Sequence, residues 1–135
     1  VYIIDYKTGA WADIPSYKTF DLKQREEWPD TLMSVQLPIY ILLYHTKHDD
    51  VPIANINAGL MLMGKKNFEE KWLFSDKMSA SERAGLFDSY RQAVVTLIEE
   101  ILDLDRDFIP TADEDNCAGC DFQTLCGRQW VVKTW

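Results

Sequence analysis

The chain has 135 residues, of which 47% are hydrophobic and 27% charged, with a formal net charge of -8. These are the proportions of one globular domain, or part of one, with a real core. The acidic balance excludes a general polycation that binds nucleic acid through overall charge, and apolar runs such as Leu37 to Tyr44 are too short to span a bilayer.

The sequence opens at Val1 directly on a strand pattern, so a missing upstream segment is expected. Val1 to Lys7 is rich in β-branched and aromatic residues and is stopped by Thr8-Gly9, which predicts a strand. Residues 10 to 30 carry Pro15, Pro29 and many charges without a clear period, which predicts a long loop with one short helix. From Thr31 to Lys47, Leu32, Val35, Gln36, Ile39, Tyr40, Leu43 and Tyr44 recur at helical spacing. Pro38 conflicts with that helix, so the helix starts just before it or kinks there. Val51 to Met63 reads as a strand in which Gly59 marks a bulge or a close approach, and Lys71 to Ser75 as a shorter one.

Ser79 to Asp105 predicts the longest helix. Ser79 and Glu82 have the spacing of a capping box, and Leu86, Tyr90, Val94, Leu97, Ile101 and Leu104 form an apolar stripe. Its acidic end is a solvated face on this reading, while Trp28, Trp72, Phe87 and Tyr90 belong to the core. Trp130 and Trp135 are expected to pack on a missing segment. The division expected is residues 1–107 as the core and 108–135 as a cysteine-containing tail.

Strand alternation turns Asp5 and Lys7 to one face and Tyr6 to the other. A carboxylate beside an ammonium suits phosphodiester chemistry: the acid holds a divalent metal and the lysine neutralises transition-state charge. A bare Asp-x-Lys is more often an exposed ion pair of small energetic value. Gln36 and Tyr40, four apart, share one helix face. Alone, they read as a solvated amide and an amphipathic core ring. Cys117, Cys120 and Cys126 have C-x2-C-x5-C spacing. Three cysteines are a poor disulfide framework but suit a metal cluster in a reducing compartment, which points to the cytoplasm. A complete Zn²⁺ or [4Fe–4S] site wants four ligands, and His45 and His48 sit on another helix.

The string Ile3-Ile4-Asp5-Tyr6-Lys7-Thr8-Gly9 closely resembles the third motif of RecB-like nucleases of the PD-(D/E)xK superfamily. Gln36-Leu37-Pro38-Ile39-Tyr40 resembles the Gln-x-x-x-Tyr motif that follows it there, and the cysteine spacing resembles the iron-staple tail. The resemblance implies an α/β restriction-endonuclease-like core, a central mixed sheet flanked by helices, incomplete at its N-terminus. It implies Asp5 and the Tyr6 carbonyl as ligands of Mg²⁺ or Mn²⁺, Lys7 as catalytic, and Gln36 and Tyr40 as supports of the site and the DNA backbone. It also implies that Cys117, Cys120 and Cys126 join an upstream cysteine on a [4Fe–4S] cluster, with Zn²⁺ as the rival in a fragment.

The function expected is metal-dependent cleavage of DNA in repair or recombination, linked to a helicase domain or subunit and away from membranes. The parent would be active and this stretch alone inactive. A non-catalytic nuclease-like scaffold and a zinc-binding module are the alternatives. DNA would meet the early part of the chain, where Lys7, Lys18, Lys23 and Arg25 lie, because the acids crowd residues 99 to 115.

Overall fold

A computed structural model of the chain describes residues 1–16, 18–64, 66, 68–111 and 113–132. The chain divides into two units, Val1–Ile101 and Leu102–Trp135. The first is α/β. Its strands are β1 (Tyr2–Lys7), β2 (Asn57–Leu62) and β3 (Glu69–Trp72), in the order β1-β2-β3. β1 runs parallel to β2, and β3 antiparallel to it, so the sheet is mixed. A parallel pair needs a long crossover, and the segment between β1 and β2 supplies it with two helices: α1 (Trp28–Thr31), a single turn, and α2 (Gln36–Lys47). The third helix, α3 (Ala80–Leu102), follows the sheet.

The two faces of the sheet differ. Ile3, Asp5 and Lys7 pair with Ala58, Leu60 and Leu62 and share the inner face, where the β2 residues join the core. Leu37 and Ile41 of α2 and Phe87, Tyr90 and Ala93 of α3 complete that core. Tyr2, Ile4 and Tyr6 alternate to the exposed outer face. One buried polar side chain organises the start of β2. Asn57 accepts from the Phe74 amide at 3.1 Å and donates to the Phe74 carbonyl at 2.9 Å, so both polar ends of its amide are satisfied.

Several boundaries differ from the sequence expectation. The helix predicted from Thr31 begins only at Gln36, because Met33 adopts a positive φ of 53° and breaks the periodic run. Pro38 therefore lies in the first turn of α2, where its missing N–H leaves no intrahelical bond unmade. The strand predicted from Val51 begins at Asn57, after a 3-10 turn over Ile53–Asn55. Gly59 keeps regular register, so it is no bulge; the Trp72 ring fills the place a Cβ would take. Trp72 thus belongs to the outer face, against Tyr2 at 5.3 Å between ring centroids, rather than to the core. β3 starts two residues before Lys71 and ends at Trp72.

The capping box of α3 forms as its spacing predicts: Ser79 Oγ accepts from the Glu82 amide at 3.3 Å, and Glu82 accepts from the Ser79 amide at 2.7 Å. The apolar stripe stops short: the helix ends at Leu102, and Leu104 lies beyond it, fully exposed. No helix among the described residues is long and apolar enough to cross a membrane.

The second unit has little regular structure. A 3-10 turn spans Glu114–Cys117, and Gly119 and Gly127 take positive φ values of 83° and 65° where the chain reverses. Trp130 is exposed, and Trp135 lies outside the described residues.

Candidate active site

The site grows from two local rules. Alternation along β1 sets Asp5 and Lys7 on the inner face, and the Lys7 ammonium lies 2.8 Å from Asp5 Oδ2. The four-residue repeat of α2 stacks Gln36 over Tyr40, and the Gln36 amide nitrogen donates to the Tyr40 hydroxyl at 2.6 Å. Gln36 is the first residue of α2. Its own amide donates to Ser34 Oγ at 3.3 Å, which fixes how the chain enters the helix.

The Gln36 side chain then joins the two motifs. Its Oε1 accepts from Lys7 Nζ at 2.9 Å, and its Nε2 donates to Asp5 Oδ2 at 3.2 Å. The chemistry dictates this orientation, because an ammonium needs an acceptor and a carboxylate needs a donor. Asp5, Lys7, Gln36 and Tyr40 thus form one network, although Asp5 and Gln36 are separated by 31 positions in sequence. The Asp5 and Lys7 side chains keep 25% and 33% exposure. The network is therefore open to a ligand rather than sealed as a core ion pair. Tyr6 stands between them on the strand with its ring on the opposite, exposed face.

Residues that the sequence did not single out hold this network in place. Gly64 follows β2, and a Cβ there would fall 2.5 Å from the Gly9 carbonyl carbon, so the Thr8–Ala10 turn rests directly on it. The Gly64 amide donates to the Gly9 carbonyl at 3.2 Å, and the Met63 amide to the Lys7 carbonyl at 2.8 Å. Lys71 donates to the Ala12 carbonyl at 2.9 Å. A glycine directly after an apolar strand was the only signal available for the first of these contacts.

The cysteines behave differently. Cys117 is buried, while Cys120 and Cys126 are exposed. Cys117 is held from outside the motif: Arg128 donates to its sulfur at 3.3 Å and to the Thr111 carbonyl at 2.6 Å. That sulfur contact pushes the Arg128 guanidinium further above its ordinary value. Among the described residues, no group of three or more His, Cys, Asp or Glu side chains is arranged to hold a metal ion.

The family model of the PD-(D/E)XK nuclease superfamily matches residues 1–127, a span that contains the whole network. The chain belongs to this superfamily. Its members are nucleases and hydrolases that typically use Mg²⁺ or Mn²⁺. The mixed sheet and the three helices among the described residues are consistent with the restriction-endonuclease-like fold of the superfamily. No curated protein and no solved structure matches the chain.

Proposed function

We propose that this superfamily domain is a Mg²⁺- or Mn²⁺-dependent deoxyribonuclease of the RecB-like branch, with Asp5, Lys7, Gln36 and Tyr40 as its active-site residues. The observation that carries the reading is the Gln36 amide, which ties the Asp-x-Lys strand to the Gln-x-x-x-Tyr helix in one network. A chance surface ion pair has no reason to recruit a glutamine and a tyrosine from another element.

The donor chemistry fits a hard divalent ion. Mg²⁺ is commonly held by one or two carboxylates together with substrate phosphates and water. Asp5 offers the carboxylate and the Tyr6 backbone the carbonyl. The ion, when bound, supplies an acidified water and Lewis acidity toward the phosphate. The protein's own part is positional. Lys7, clamped between Asp5 and Gln36, presents a fixed positive charge where negative charge grows on the phosphate. Gln36 keeps Lys7 and Asp5 at a set spacing, and Tyr40 holds the Gln36 amide in its useful orientation.

The tail as it stands does not fit a [4Fe–4S] cluster, because three cysteines are present where four are wanted. In the RecB-like reading, a fourth thiolate comes from elsewhere. That reading also places the protein in the cytoplasm, in DNA repair or recombination, beside a helicase domain or subunit.

The test uses the full-length protein on a linear duplex with Mn²⁺. Metal-dependent cutting that disappears in a folded Lys7→Ala variant is the expected result. Equal cutting by the variant rules out the assignment, and no cutting by the unaltered protein leaves a nuclease-like scaffold.

A further inference from the structure

The loop that leaves the active strand carries a large aromatic residue in an unusual position. Trp11 is 81% exposed, although tryptophan normally buries most of its surface. It lies only four residues beyond Lys7, so the two Cα atoms are at most about 14 Å apart.

The segment holding it is fixed, not loose. Gly64 supports the Thr8–Ala10 turn from below, with no room for a Cβ. Beyond the turn the chain alternates: Ala12 and Ile14 pack against the core, while Trp11 and Asp13 face outward. The Ala12 carbonyl accepts from Lys71 at 2.9 Å.

That last contact also sets the side of the sheet. Asp5, Leu60 and Lys71 form one cross-strand row, so the three side chains share a face. Lys71 therefore reaches the Ala12 carbonyl from the face that carries Asp5 and Lys7. The exposed aromatics of β1, Tyr2 and Tyr6, belong to the opposite face.

We propose that Trp11 is a stacking platform for an unpaired base of the DNA strand being cut, within about four nucleotides of the scissile phosphate. Indole rings are favourable surfaces for this purpose, because every base has a π-face and stacking needs no base-specific hydrogen bond. The inference rests on the nuclease reading, and it adds a contact to the base where the network contacts only the phosphate. It makes the enzyme prefer single-stranded ends or frayed duplex over intact duplex.

The experiment compares the full-length protein with Trp11→Ala and Trp11→Phe, measuring oligonucleotide binding with Ca²⁺ in place of the catalytic metal and cutting with Mn²⁺. The expected result for Trp11→Ala is about tenfold weaker binding of single-stranded DNA, with duplex binding little changed. KM should rise by a similar factor with kcat kept, and Trp11→Phe should restore most of the affinity. Unchanged single-strand binding in Trp11→Ala overturns the proposal while leaving cutting, and so the nuclease reading, intact. Equal loss on duplex and single strand also overturns it, since that pattern marks a contact to the backbone. Binding that depends on Trp11 in a protein that never cuts supports the platform and defeats the nuclease reading instead.

Discussion

The Asp5–Lys7–Gln36–Tyr40 network and the cysteine tail are both built from motifs of short, regular spacing, yet only the first converges. In the network, each pair sits on an element whose geometry is fixed by backbone hydrogen bonds: two residues apart on a strand, four apart on a helix. Core contacts of Leu37 and Ile41 then bring those elements together. In the tail, Cys117, Cys120 and Cys126 sit on turns, and only Cys117 is buried. Spacing becomes geometry where a regular element and a core enforce it. On turns it stays a list of ligands until the ligand itself organises them.

The largest effect should come from the converged region. Lys7→Ala should lower the cutting rate of the full-length protein by about a thousandfold, with the far-UV circular dichroism unchanged. Gln36→Ala should lose roughly ten- to a hundredfold by loosening the clamp on Lys7, and a double variant losing no more than Lys7→Ala would show that the two act as a unit. Additive losses would break the comparison, because the network would then be only a set of neighbours. Next comes the core that makes the network converge. Ile41 is fully buried, and Ile41→Ala should cost about 3 kcal/mol in denaturant unfolding.

The tail supplies the opposite test. The 135-residue chain, purified anaerobically, should contain little iron and show no visible absorbance band, because it offers three cysteines. A brown protein with about four irons per chain would mean that the turns do gather a cluster.

How much of this was legible in the sequence follows the same division. The strand at Asp5–Lys7, the sharing of a face by Gln36 and Tyr40, and the capping box at Ser79 each depend on neighbours within four positions, and all three appear in the structure. The start of α2 was misplaced because Leu32 and Val35 keep helical spacing while Met33 turns the backbone to positive φ, which no residue type there announces. Trp72 read as core because its hydrophobicity carries no mark of which sheet face it takes. The supports at Gly64 and Lys71 depend on contacts with residues more than fifty positions away, which a single sequence does not encode in readable form.

The smallest expected effect lies at the start of α3, where a local motif acts without any help from a core. Ser79 and Glu82 cap the helix reciprocally, and both hydrogen bonds are exposed. Bonds from the Ser79 side chain and amide hold the Glu82 carboxyl below its ordinary value, since they favour the charged form. A depressed acid contributes stability above its unfolded pKa and loses it as the pH falls through the folded one. The contribution of Glu82 should therefore be complete at neutral pH and fade below about pH 4.5. Ser79→Ala removes the cap and the larger cause of the depression, the hydroxyl bond, and leaves the backbone amide bond to Glu82. It should cost about 1 kcal/mol near pH 7, and the gap between variant and parent should narrow as the pH drops. Thermal melts of the two proteins between pH 3 and 7 measure that gap. A gap that stays constant with pH would show that the cap acts without the Glu82 charge, and that even this four-residue motif owes its effect to something beyond its own spacing.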